Sequence, residues 1–116
     1  MRYALLIHVD EKLTASLNEA EQGSMMAEYM AFGERYKDKI VGGDPLLPVA
    51  MATTVRVRDG KTMTTDGPFA ETKEQLNGFY LVSCDNLDEA VEMAAQIPDA
   101  VGGCVEVRPV MEFSEA

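Results

Sequence analysis

Apolar residues run almost without a break from Tyr3 to Val9 and stop at Asp10. Such a run predicts a strand covered on both faces. The spacing then changes. Met25, Tyr29, Phe32, Tyr36 and Ile40 recur every three or four residues, with Glu28, Glu34, Arg35 and Asp38 on the other side. That stripe predicts an amphipathic helix, started either by a Ser16/Glu19 capping box or by Ser24 after the unfavourable Gly23. Lys37 and Lys39 in the last turn and Gly42-Gly43 beyond it predict its end.

A segment bounded by Pro45 and Pro48 separates this helix from alternating Thr54-Val55-Arg56-Val57-Arg58. Asp59-Gly60 then predicts a two-residue type I′ turn, with Lys61 to Thr65 returning as the second strand of a hairpin. Gly78 to Cys84 reads as a core strand. Asn86 and Glu89 predict the cap of a second helix that turns Leu87, Ala90, Val91, Ala94 and Ile97 inward and ends at Pro98. Gly102-Gly103 is the turn into a last strand, Val105 to Val110, and the tail Ser114-Glu115-Ala116 is expected to fray.

Two successive β-α-β units returning to one sheet predict a single α+β domain over residues 1–116, ferredoxin-like, with an inserted β-hairpin. Two helices cover one face of such a sheet. The other face needs another cover, and pairing of two sheets in a homodimer supplies it.

Composition narrows the partners. Twenty acidic against ten basic side chains give a formal charge of −10, and Arg56, Arg58 and Lys61 on the hairpin are the closest approach to a basic group. Direct nucleic-acid binding and attachment to anionic membranes are therefore not expected. No long apolar run and no signal-peptide pattern stand in the chain, so a cytoplasmic protein is expected. Cys84 and Cys104 make neither a disulfide framework nor a metal-ligand spacing; both are expected to be small buried hydrophobes. No metal and no cofactor are expected, since phosphate loops, nucleophile elbows and metal motifs are missing. The methionines, Met25, Met26, Met30 and Met93 among them, are expected in the core.

Thr65-Asp66-Gly67-Pro68-Phe69-Ala70-Glu71-Thr72-Lys73-Glu74, continued to Leu81, resembles the signature of the DGPF-type, YCII-related family, and the likeness reaches back through Thr54 to Lys61. The resemblance implies a dimeric α/β barrel, in which two sheets close on each other, and it implies no particular reaction. In the better-studied YCII branch, a histidine on the first helix and an aspartate just before a proline after the second helix look like a catalytic pair. Here the first helix has no histidine, and Ile97 precedes Pro98 with Asp99 beyond it, so that pair is not carried over.

Candidate chemistry centres on the signature. Asp66 either accepts bonds from its own turn or serves as a general base or ligand anchor. Phe69 is expected to plug the core. Glu71, Lys73 and Glu74 have the spacing of a short, salt-bridged helical turn, in which Glu71 or Lys73 becomes a ligand contact only if it points back into a pocket. His8, the only histidine, shares a strand face with Ala4 and Leu6; it is either structural or a proton-transfer group. The candidate catalytic residues are thus His8 and Asp66, with Gly67, Pro68, Phe69, Glu71, Lys73 and Tyr80 as ligand contacts. Two functions compete: binding or cofactor-free transformation of a small organic metabolite by acid/base chemistry, or a non-catalytic ligand-binding or protein-interaction module. The second draws on family members that resemble domains associated with transcription-initiation sigma factors.

Overall fold

Strand β1 (Arg2–Val9) is one of the two central strands of a four-stranded antiparallel sheet in the computed structural model, which describes residues 1–113. Residues 114–116, where fraying is expected, lie outside the described residues. Tyr3, Leu5, Ile7 and Val9 are buried, whereas Ala4, Leu6 and His8 are half-covered. The expectation of two covered faces is thereby corrected for the single chain: helices pack on one side of the sheet and the other side stays open.

Two helix starts differ from expectation. Helix α1 (Glu11–Ala15), an additional short element, starts where the Asp10 carboxylate accepts from the Lys12 amide at 3.0 Å. Helix α2 (Glu19–Arg35) starts from Asn18, neither from Ser16 nor from Ser24. The Glu21 amide donates to Asn18 Oδ1 at 2.8 Å and the Asn18 amide donates to Glu21 Oε1 at 3.1 Å, a reciprocal capping box. The helix ends at Tyr36, so Ile40 leaves the stripe and opens strand β2 (Ile40–Pro45).

Gly42 and Gly43 are therefore strand residues, not a helix stop. Gly43 has φ +135°, and a Cβ there would lie 2.3 Å from the Phe79 carbonyl oxygen. Glycine is required because β2 crosses the neighbouring backbone too closely for a side chain. A 3₁₀ turn at Val49–Met51 leads into the hairpin β3 (Thr53–Arg58) and β4 (Lys61–Asp66). Asp59 and Gly60 have φ 52° and 75°, as the expected type I′ turn demands.

Strand β5 (Gln75–Ser83), helix α3 (Leu87–Ala95), a 3₁₀ turn (Pro98–Ala100) and strand β6 (Cys104–Pro109) complete the chain. The Asn86 side chain accepts from the Glu89 amide at 2.9 Å, the cap that the sequence predicts. The buried stripe of α3 is rotated from the expected one: Ala90, Met93 and Ala94 are inside, as is Ile97 just past the helix end, while Leu87 and Val91 are about half exposed. Only Met93 of the helix methionines enters the core; Met26 and Met30 are exposed and Met25 is half-buried.

The sheet order β2-β5-β1-β6 is that of two interlocked β-α-β units, β1-α2-β2 and β5-α3-β6, each with the other's strand between its own. The hairpin β3-β4 forms a separate two-stranded sheet whose residues are almost all exposed. The radius of gyration, 16.4 Å, exceeds the value of about 13 Å typical for a compact domain of this size because that arm projects. The core packs Tyr3, Leu5, Ile7, Phe32, Val82 and Met93 between α2, α3 and the sheet.

Candidate functional site

The sheet register separates the candidate residues. Tyr80 pairs with Leu5 and so shares the helix-covered face, whereas His8, opposite Leu76 and Cys104, lies on the open face. His8 Nδ1 is 3.2 Å from the Leu6 carbonyl oxygen, to which it donates when it carries the proton. Asp66 closes β4 opposite Thr53, and its carboxylate is exposed. The turn after it is held by backbone: the Gly67 amide donates to the Ala52 carbonyl at 2.7 Å, and Thr54 Oγ1 donates to the Gly67 carbonyl at 2.9 Å. Gly67 has φ +100°.

Phe69 does not plug the core; it is 81 % exposed. Nor do Glu71, Lys73 and Glu74 form a helical turn. The segment is an irregular loop in which Thr72 Oγ1 donates to the Glu74 carbonyl and Gln75 Nε2 donates to the Thr72 and Ala70 carbonyls. Side-chain-to-backbone bonds of this kind compete with a helix. Glu71 and Lys73 are exposed, and Pro68 is half-covered beside them. Among the described residues, none of His8, Asp66, Gly67, Pro68, Phe69, Glu71 and Lys73 lines the cavity to which Tyr80 contributes.

A cavity of about 510 Å³ lies instead between α2 and the sheet. Its roof comes from Leu17, Met25, Met26 and Tyr29, and its floor from β2 and β5, where Gly43 and Gly78 leave bare backbone. Phe32, the one buried residue of α2, seats the C-terminal half of that helix, so the space opens under its N-terminal half. The Tyr80 ring packs on Phe32 with centroids 4.9 Å apart and contributes to the cavity wall.

Tyr29 donates its hydroxyl hydrogen to Asp99 Oδ2. Asp99 is delivered by the 3₁₀ turn that Pro98 starts after α3, and its own carbonyl accepts from the Gly103 amide at 2.8 Å. A Cβ at Gly103 would lie 2.2 Å from the His8 carbonyl oxygen, which explains the glycine at that turn. Burial first, then the hydrogen bond to Asp99 and its negative charge, push the Tyr29 phenol far above its ordinary pKa near 10. Tyr80 is pushed up by burial. Tyr29, which lines the cavity, thus stays protonated at neutral pH while giving its hydrogen to the Asp99 carboxylate, which is not among the lining residues.

In the sequence Tyr29 belongs to the apolar stripe, and Asp99 stands on the wrong side of Pro98 for the family's pair. One signal was present: a tyrosine on a core-facing stripe needs a partner for its hydroxyl, and Asp99 is a carboxylate at the start of a turn packed against that helix.

The cysteines supply no activated nucleophile. Cys84 is buried with Sγ 3.5 Å from Met93 Sδ, and burial pushes its thiol up. Cys104 is exposed, contrary to expectation; its Sγ is 3.9 Å from Glu74 Oε1, and desolvation followed by the Glu74 charge pushes its thiol up too. Among the described residues, no group of three or more His, Cys, Asp or Glu side chains is placed to hold a metal ion. No described helix is long and apolar enough to cross a membrane.

The family model for the YCII-related domain matches residues 1–114. The chain belongs to the YCII-related family. An uncharacterised protein from Rhizobium meliloti (strain 1021) is 40 % identical over 114 residues, covering 95 % of this chain and 92 % of the relative. Among solved structures, the YCII-related chain is similar to 5-chloro-2-hydroxyhydroquinone dehydrochlorinase (TftG) from Burkholderia phenoliruptrix AC1100, in complex with 2,5-dihydroxybenzoquinone. The TM-score is 0.52 at 14 % identity, over 97 % of this chain and 96 % of that one, a likeness of fold.

Proposed function

We propose that this YCII-related protein, of the DGPF type, is a cytoplasmic homodimer that binds a small organic molecule under α2 and moves a proton on it through Tyr29 and Asp99, without a cofactor. The observation that carries the reading is Tyr29: it lines a cavity of about 510 Å³, a volume within the ordinary range for small-ligand sites, and its hydroxyl is hydrogen-bonded to the Asp99 carboxylate behind it. When a bound O–H or N–H gives its hydrogen to Tyr29 Oη, the Tyr29 proton passes to the Asp99 carboxylate. The ligand is left as an anion and Asp99 as a neutral acid, so protons and charge balance. The pair then acts as general base and, in reverse, as general acid. That TftG holds a small organic molecule on a similar fold supports the reading by analogy only.

Dimerisation is the second part of the proposal. Leu6, Phe79 and Leu81 stand on the uncovered side of the sheet, and a second copy laid sheet to sheet would cover them as a dimeric α/β barrel. In this arrangement His8 and the signature residues Asp66, Gly67, Pro68, Phe69, Glu71 and Lys73 act at or near the contact between copies. The alternative, a non-catalytic interaction module, is favoured by the projecting hairpin with exposed Val55, Val57 and Met63. Recovery of nothing but the protein itself from native extract would remove it.

The test is a thermal-shift screen of small organic molecules on wild type, Tyr29→Phe and Asp99→Asn, followed by turnover assays on the hits. A hit should raise the melting temperature of wild type and be turned over at least about a hundredfold more slowly by either variant, the usual scale for losing an acid–base group. Hits that stabilise and react equally in all three proteins would sink the assignment.

A further inference from the structure

We infer that the molecule taken by the α2 cavity is uncharged and largely apolar and carries at least one O–H or N–H donor, which it gives to Tyr29 Oη. The inference rests on the cavity being the functional site. Three observations lead to it. First, the walls are largely apolar: Ile7, Leu17, Met25 and Met26 line them with hydrocarbon and thioether groups. Second, among the described residues no lysine, arginine or histidine lines the cavity, and the one charged lining residue is Asp44, an acid. A carboxylate or phosphate brought there would lose hydration with no counter-charge to replace it, inside a chain that already carries −10.

Third, the hydroxyl hydrogen of Tyr29 is already committed. Tyr29 gives its hydrogen to Asp99, and Gln22 Nε2 donates to the Leu17 carbonyl at 3.0 Å. What Tyr29 still offers is acceptor capacity, the lone pairs of its oxygen, with the Asp44 carboxylate beside it, whereas Gln22 keeps its second N–H and Oε1 and serves either role. The hydroxyls of Thr14 and Tyr80 and the amide of Asn77 serve either role and do not select. A ligand without a donor leaves the acceptor lone pairs of the Tyr29 oxygen desolvated and unused, and a site that leaves polar capacity unmet discriminates against that ligand.

Three probes of one size separate the possibilities on the full chain at neutral pH: naphthol, its methyl ether and naphthoate. Affinity is read by calorimetry, and location by the methyl NMR signals of Met25 and Met26. Naphthol is expected to bind at least about tenfold more tightly than the ether or naphthoate, the size of one good hydrogen bond. Tyr29→Phe should bring naphthol down to the affinity of the ether and leave the ether unchanged. Naphthoate binding as well as naphthol would overturn the charge assignment and leave the cavity reading standing. Equal binding of naphthol and ether would overturn the donor requirement. Failure of all three to bind or to move the two methionine signals would remove the cavity reading and this inference together. The wild-type ranking decides the matter even if the variant does not fold.

Discussion

The hydroxyl of Tyr29 is the polar end of an otherwise apolar stripe, and a half-buried phenol is stable there only while something accepts its hydrogen bond. Asp99 does so. Removing the acceptor and removing the donor are therefore unequal changes. Asp99→Ala strands the hydroxyl and should cost about 1–3 kcal/mol of stability, whereas Tyr29→Phe removes both the bond and the need for it and should cost about 1 kcal/mol or less. Urea unfolding of both variants measures the difference; equal losses would mean that the hydroxyl is not stranded without Asp99 but finds water. The same pair sets a pH dependence. The folded-state pKa of Tyr29 lies above its unfolded value, so the folded chain holds the proton more tightly. Stability is full below pH ~10 and declines as pH rises beyond it, by less than about 1.4 kcal/mol per pH unit because the phenol is only partly buried. Tyr80, also raised, adds a smaller decline, so Tyr29→Phe should flatten the alkaline limb without abolishing it.

Elements whose signals are local are legible in the order of residues alone. The hairpin follows from Asp59-Gly60, the start of α3 from Asn86 and Glu89, and the face of β1 that holds His8 from simple alternation. Strand β2 is not legible in that way, because Gly42-Gly43 after a helix has the same composition whether it caps that helix or crosses a neighbouring strand. What decides is the approach of the β5 backbone, a contact between segments far apart in the chain. The site is hidden for the same reason: Tyr29 and Asp99 are 70 positions apart and meet only once α2 and the turn after α3 are packed. The crossing makes Gly43 the most demanding backbone position of the sheet. Gly43→Ala must both hold φ +135° and push away an oxygen 2.3 Å from its Cβ. A loss of about 2 kcal/mol or more is expected in urea unfolding. Because Gly43 also floors the cavity, the variant should lose probe affinity as well as stability. A variant as stable as wild type would mean that β2 does not cross β5 so closely.

At the scale of the whole molecule, two surfaces compete for a second copy, and salt tells them apart. The open sheet face offers Leu6, Phe79 and Leu81, a contact driven by apolar burial and opposed by the repulsion between two chains of charge −10. The hairpin arm offers Arg56 on the same face as Arg58 and Lys61, a contact that acidic surface on the other copy would attract. Salt screens both the repulsion and the attraction. If the sheets meet, sedimentation should show a species of twice 12.7 kDa whose dissociation constant stays the same or falls as sodium chloride is raised towards molar concentration. Leu6→Asp should raise that constant by at least about tenfold, since it sets a charge into an apolar contact, and it should do so with the fold intact because the Leu6 side is uncovered in the single chain. A dimer that instead loosens with salt, ignores Leu6→Asp and falls apart on Arg56→Glu would assign the contact to the arm.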